Sequence, residues 1–188
     1  MEGAGEETRA TLRELLRGGD RRSVARSKEA QSLVLANPDR VTDLAALAED
    51  EDWLVSMRAL DLLEKLVHRH GDWVQPHKRL FIGPLADSDK WEVRLQVVRA
   101  LPWLHWTPSE KKRVIEILCR DIEHKQKFVR AWALDSLAEL AQGDVRLLGL
   151  VSSALESFEG SGSKALATRA KHIRRRLGQN PKEVSHSE

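Results

Sequence analysis

Trp53-Leu54-Val55-Ser56-Met57-Arg58-Ala59 returns as Trp91-Glu92-Val93-Arg94-Leu95-Gln96-Val97 and again as Lys127-Phe128-Val129-Arg130-Ala131-Trp132-Ala133. In this register Leu62-Leu63, Ala100-Leu101 and Ser136-Leu137 coincide, as do Leu66, Leu104 and Leu140. A fourth copy sets Leu166 under Val129, Ala170 under Ala133 and Leu177 under Leu140. A weaker first copy sets Val24 under Trp53, Ala30 under Ala59 and Leu33 under Leu62. The step is 38 residues from Trp53 to Trp91, 36 from Trp91 to Lys127, 37 from Val129 to Leu166, and 29 for the weak copy. Each copy follows a second amphipathic stretch, such as 41–47, 114–119 or 145–155. Two helices in roughly 37 residues is the period of an α-solenoid, in which a pair cannot bury its apolar face alone and stacks on its neighbours. The expected fold is all-α: a right-handed, curved α-α superhelix of about five helical hairpins.

The recurrent Asp…Val-Arg…Ala pattern, carried by Asp89…Val93-Arg94…Val97 and by Val129-Arg130…Ala133, resembles the HEAT-repeat family. The likeness extends over about 20–177. It implies a helical-repeat fold and says little about activity, since such folds serve as scaffolds and also carry enzymes. Ser56 and Ala167 stand where the pattern has Arg, so a hydrogen-bond ladder between repeats is expected to be incomplete. Arg94 and Arg130 are expected to be structural, because the family places this Arg at the repeat junction.

Composition agrees with a packed helical chain. Of 188 residues 41% are apolar and 32% charged, which excludes a largely disordered chain. The 31 Lys+Arg nearly cancel 29 Asp+Glu, leaving +2, so the chain is not one broad basic surface. No apolar run is long enough to span a membrane, and the acidic start around Glu2, Glu6 and Glu7 does not read as a signal peptide. Cys119 is the sole cysteine, which points to a reducing, cytoplasmic compartment. Asn37-Pro38 and Thr107-Pro108 read as capped helix starts, while Gly71-Asp72, Gly143-Asp144 and 160–163 read as breaks. Pro76, Pro84 and Pro102 should shorten or kink the helices around them. The reading gives one repeat domain over 1–178 and a polar, frayed tail over 179–188.

In such a solenoid the second helix of each pair lines the concave face. With Val93, Val97, Val98, Leu101 and Leu104 turned inward, Gln96, Arg99 and Trp103 share the opposite stripe. Carried across the copies, this stripe becomes three rows: Arg58, Gln96, Trp132, Arg169; Asp61, Arg99, Asp135, His172; and Lys65, Trp103, Glu139, Arg176. The second row alternates in sign and reads first as a ladder of structural salt bridges. Trp53 and Trp91 are expected in junction packing and Trp73 and Trp106 as loop plugs, whereas Trp103 and Trp132 fall on the polar stripe as stacking platforms.

No phosphate loop, His-Glu-x-x-His or Gly-x-Ser-x-Gly occurs, so no catalytic residue, cofactor or metal is assigned. His68, His70, Asp72 and His77 match no standard zinc spacing. Cys119 reads as an inert core thiol. The expected function is a non-enzymatic scaffold that binds a protein partner through Arg58, Asp61, Arg99, Trp103, Trp132, Asp135, Glu139 and Arg169. The alternative is a nucleic-acid-binding protein, in the extreme an alkylpurine DNA glycosylase-like enzyme, using the same groove. It would draw on the basic run of Arg169, Lys171, Arg174, Arg175 and Arg176, which reads equally as the polar cap of a terminal helix. Missing Tyr, and any Trp-Trp-Asp segment, weigh against the glycosylase.

Overall fold

The computed structural model describes residues 2–178, so the 179–188 tail lies outside the described residues. Nine α-helices and no β-strand occur among them. They are α1 (Glu2–Leu16), α2 (Ser27–Ala36), α3 (Val41–Leu47), α4 (Trp53–Val74), α5 (Trp91–Ala100), α6 (Pro108–Ile122), α7 (Lys127–Leu140), α8 (Val145–Glu159) and α9 (Lys164–Gly178). The chain divides into two compact units after Ile117, inside α6.

In the first unit α1 with α2, and α3 with α4, form the first two hairpins. A third second-helix, α5, is preceded not by a helix but by the 3₁₀ turns Gln75–Phe81 and Pro84–Asp87. Pro76 and Pro84 sit at the starts of those turns, where a missing N–H costs nothing. Pro102 ends α5 at Ala100 and leaves Leu101–Trp103 as a 3₁₀ turn. The break signalled by Gly71-Asp72 is realised one residue earlier: His70 has φ −138° and ψ 48° inside α4. In the second unit α7, α8 and α9 pack on one another, with the end of α6 leading into α7.

The repeat register agrees with the helix starts. α4, α5, α7 and α9 begin at Trp53, Trp91, Lys127 and Lys164, the positions the superposition aligns. Val55 and Val93 are buried in the first unit, and Val129 and Leu166 in the second; so are Ala59, Val97, Ala133 and Ala170 one turn on. The inward set Val93, Val97, Val98, Leu101 and Leu104 is buried throughout. The weak copy is right at Ala30, which is buried, and wrong at its start: Val24 is exposed, and α2 begins only at Ser27.

Side chains secure the ends. Thr107 and Glu110 form a reciprocal cap at the start of α6: Glu110 N–H donates to Thr107 Oγ1 at 3.3 Å, and Thr107 N–H donates to Glu110 Oε2 at 2.9 Å. Lys78 Nζ donates to the same Glu110 oxygen at 2.6 Å and to His105 O at 3.1 Å, tying the 3₁₀ segment to α6. Of the two positions of the repeat pattern where Arg is missing, Ser56 still supplies the hydrogen bond, while Ala167 has no side-chain donor to offer. Arg130 Nε donates to Ile122 O at 2.8 Å, and Ser56 Oγ donates to Ala48 O at 2.6 Å, each reaching eight residues back to the end of the preceding helix. At Ser56, then, the expected gap is filled by the shorter hydroxyl, which satisfies a carbonyl the helix itself cannot pair.

Candidate partner-binding site

In the first unit the three expected rows do not share one exposure. Arg58 is only 2% exposed. Its guanidinium donates to the carbonyl oxygens of Leu16, Asp20 and Ser23, the last from Nε at 3.1 Å and from Nη2 at 2.9 Å. These carbonyls line the connection from α1 to α2, which turns through Gly18 and Gly19 at φ +82° and +70°. A Cβ at Gly19 would lie 2.8 Å from that of Ser23, so glycine is needed for the close approach. Burial pulls the Arg58 guanidinium below its ordinary pKa, with the charges of Asp52 and Asp20 opposing. Expected among the contact residues, Arg58 is instead a clasp inside the fold. Gln96, in the same row, is also buried.

The second row pairs along a different diagonal from the one expected. Asp61 takes Lys65 of its own helix at 2.6 Å. Arg99 goes to Glu64: Nη2 lies 2.9 Å from Glu64 Oε1, while Nη1 donates to Gln96 Oε1 at 3.3 Å. Glu64 is 1% exposed and also takes His68 Nε2 at 2.9 Å; its second oxygen has no hydrogen-bond partner. The His68 ring in turn supports Trp103, with centroids 4.6 Å apart and planes tilted by 57°. Trp103 is 46% exposed. Glu64, absent from the expected set, thus anchors a chain from Arg99 through His68 to an open indole. Its spacing of four from His68 on one helix was the available signal.

In the second unit the first and third rows bring together the residues they align, and the second does not. Arg169 of α9 lies over the Trp132 ring of α7, 4.4 Å from its centroid. Asp135, 9% exposed, takes Arg176 Nη1 on Oδ2 at 3.3 Å, and its Oδ1 faces Arg169 Nη1 at 3.6 Å without a hydrogen bond. Arg176 Nη2 donates to the Asp135 carbonyl at 3.2 Å and lies 3.8 Å from Glu139 Oε2. Glu139 Oε1 accepts from Gln142 at 2.9 Å. His172, aligned with Asp135, turns outward instead and meets Arg175 at 3.3 Å. Arg174 is held by Glu159 at 2.8 Å, each shifting the other's pKa apart: the carboxyl down, the guanidinium up.

Trp106 Nε1 donates to Leu101 O at 2.8 Å, pinning its loop as expected, whereas Trp73 lies within α4 and stacks on His70 of the same helix at 4.0 Å. Trp53 and Trp91 are half-buried and line one cleft with Arg21 and Glu92. The three histidines of that cluster part company: His68 meets Glu64, His70 meets Trp73, and His77 meets Thr42 at 3.4 Å. Burial pushes the Cys119 thiol up, away from the reactive thiolate. Sequence reasoning also missed a groove of about 800 Å³ between α1 and α2, floored by Ala10, Leu15 and Leu33. Two of the carboxylates on its rim, Glu14 and Glu29, are paired with Arg17 and Arg26.

Among solved structures, an engineered protein is similar at 17% identity with a TM-score of 0.58, over 90% of this chain and 80% of that one. A designed armadillo repeat protein in complex with the peptide (KR)4 is similar at 16% identity with a TM-score of 0.57, over 87% and 79%. The fold is an armadillo/HEAT-like helical-repeat solenoid. A computationally designed armadillo repeat protein for modular peptide recognition matches the solenoid at 14% identity with a TM-score of 0.55, over 95% and 82%. No family model matches the chain, and no curated protein matches its sequence. No helix among the described residues is long and apolar enough to cross a membrane.

Proposed function

We propose that this solenoid is a non-enzymatic scaffold module that binds an extended segment of a protein partner, acting in the cytoplasm as one repeat domain. The observation that carries this reading is Trp103: a large apolar ring, 46% exposed, seated on His68, which bonds the buried Glu64 that also takes Arg99. An indole fixed before binding loses little side-chain freedom on contact, which is why such rings anchor interfaces. Two of the similar structures are peptide binders by design, which supports a protein partner for the fold. The contact set is then Asp61, Arg99 and Trp103 in the first unit, and Trp132, Asp135, Glu139 and Arg169 in the second. Arg58 is left out because it is buried.

Less supports the nucleic-acid reading. Of the basic run, Arg174 faces Glu159 at 2.8 Å, while Arg169 and Arg176 share Asp135 at 3.6 and 3.3 Å, so part of its charge is compensated within the fold.

The test is capture of the partner by wild type, Trp103→Ala and Trp132→Ala, with thermal unfolding in parallel. Trp103→Ala should unfold within about 1 kcal/mol of wild type, as exposed positions do, and lose most of the capture. Retained capture by both variants would overturn the reading.

A further inference from the structure

We infer that the protein associates with itself head to tail, the outer edge of the α8–α9 hairpin of one copy docking in the α1–α2 groove of another. A hairpin in a repeat stack buries an apolar side against each neighbour, and a terminal hairpin escapes this only if its outer side is polar. Neither terminal hairpin here meets that condition. The α1–α2 groove, about 800 Å³, has Ala10, Leu15 and Leu33 on its floor. It opens along the edge of α1 that carries Glu7, Thr11 and Glu14, all exposed and on the side of the helix away from the buried Leu12 and Leu16.

The last hairpin has a smaller groove of its own, lined by Leu148, Val151 and Leu155 of α8 and by Arg174 and Leu177 of α9. On its other edge α9 meets α7 through Arg169 and Arg176. Arg174, two residues from Arg176, points to the opposite edge, so this groove turns away from the repeat before it. Leu148 is exposed there.

Charge selects the pairing. The first groove is lined by three carboxylates, Glu7, Glu14 and Glu29, against two cations, Arg26 and Lys28. α9 carries Lys164, Arg169, Lys171, Arg174, Arg175 and Arg176 and no acid. Glu159 takes Arg174 at 2.8 Å, which leaves Lys171, one turn earlier on that edge, to meet the carboxylates. Copies joined through like ends would set acid against acid or base against base. A head-to-tail contact sets opposite signs together, and because it uses a different patch on each copy it repeats from copy to copy. A contact of one hairpin with another falls at the low end of specific interface sizes, so the association is reversible and grows with concentration.

The test is sedimentation equilibrium of the full chain from about 5 to about 500 μM. The weight-average mass should climb from the 21.3 kDa of one copy to more than twice that value. Two variants at exposed positions each block one end: Ala10→Arg puts a cation in the first groove, and Leu148→Glu puts an acid in the second. Either alone should stay monomeric. Mixed one to one they should form a dimer and nothing larger, since the intact α8–α9 end of Ala10→Arg meets the intact α1–α2 end of Leu148→Glu. If either variant loses its helical circular dichroism, the charge reversals Glu7→Lys and Lys171→Glu take their places with the same expected outcome. A wild type that stays at one copy throughout would overturn the inference. So would association lost in one single variant and kept in the other, which means like ends meet, or a mixture that stays monomeric.

Discussion

Glu64 Oε1 lies 2.9 Å from Arg99 Nη2 and joins α4 to α5, whereas Asp61, one turn earlier on α4, pairs with Lys65 of its own helix. The two carboxylates are three residues apart and differ in solvation: Glu64 is buried and Asp61 partly exposed. A buried carboxylate depends on its partner, because loss of the partner leaves an unpaired charge without water.

Double-mutant cycles distinguish the two. Glu64/Arg99 should show a coupling of about 1–2 kcal/mol in urea unfolding, and Asp61/Arg99 a coupling near zero. Since His68 also bonds Glu64, Glu64→Ala should in addition change the Trp103 fluorescence that His68 contact influences. Equal couplings for the two cycles would mean that the α4–α5 pairing is wrongly described.

Arg58 should behave as a core residue. Arg58→Ala removes the donors of three backbone carbonyls and leaves a cavity, and should cost about 2–4 kcal/mol in chemical unfolding. Arg58→Lys should recover little of this, because one ammonium cannot reproduce a fork that reaches Leu16, Asp20 and Ser23. A stability loss under about 0.5 kcal/mol for Arg58→Ala, typical of a surface site, would reopen a contact role.

Acid should loosen the clasp between Lys78 and Glu110. The bond from Lys78, with the Thr107 backbone N–H, lowers the Glu110 pKa from 4.5 to about 2. Its folded pKa thus lies below its unfolded one, so its contribution is complete above about pH 4.5 and fades as pH falls toward 2. Wild type should exceed Glu110→Gln in stability at pH 7, with the gap closing between those two pH values. Other carboxylates with lowered pKa, such as Asp50 beside Arg13, weaken wild type and variant alike, so the difference isolates Glu110. A gap that stays constant down to pH 2 would contradict the assignment.

The helix starts at Trp53, Trp91, Lys127 and Lys164 and the buried positions beneath them are legible in the repeats alone. Apolar spacing encodes which face of a helix must leave water, and a period near 37 encodes stacking. Ser56 shows the limit of pattern matching. Read as a missing Arg, it makes a bond to the same kind of carbonyl as Arg130, because the requirement is an acceptor to be satisfied and not a particular donor.

The candidate site was legible in its alignment and not in its pairing. Superposition placed Trp132, Asp135 and Glu139 opposite Arg169, His172 and Arg176, and these elements do meet in the second unit. Which ion takes which depends on helix rotations of a few tens of degrees and on side-chain reach. That is why Arg176 rather than His172 answers Asp135, and Glu64 rather than Asp61 answers Arg99.

From its sequence alone the chain is determined to be an all-helical repeat, with a register good to the residue in its four clear copies and wrong at the start of the weak first one, because burial of periodic apolar side chains is a one-dimensional signal. Only the tertiary structure decided that Arg58 lies inside, that Trp103 stays open on His68, and that Trp132 is already covered by Arg169. Those outcomes depend on which polar groups come within about 3–4 Å across separate helices, a distance that periodicity does not carry.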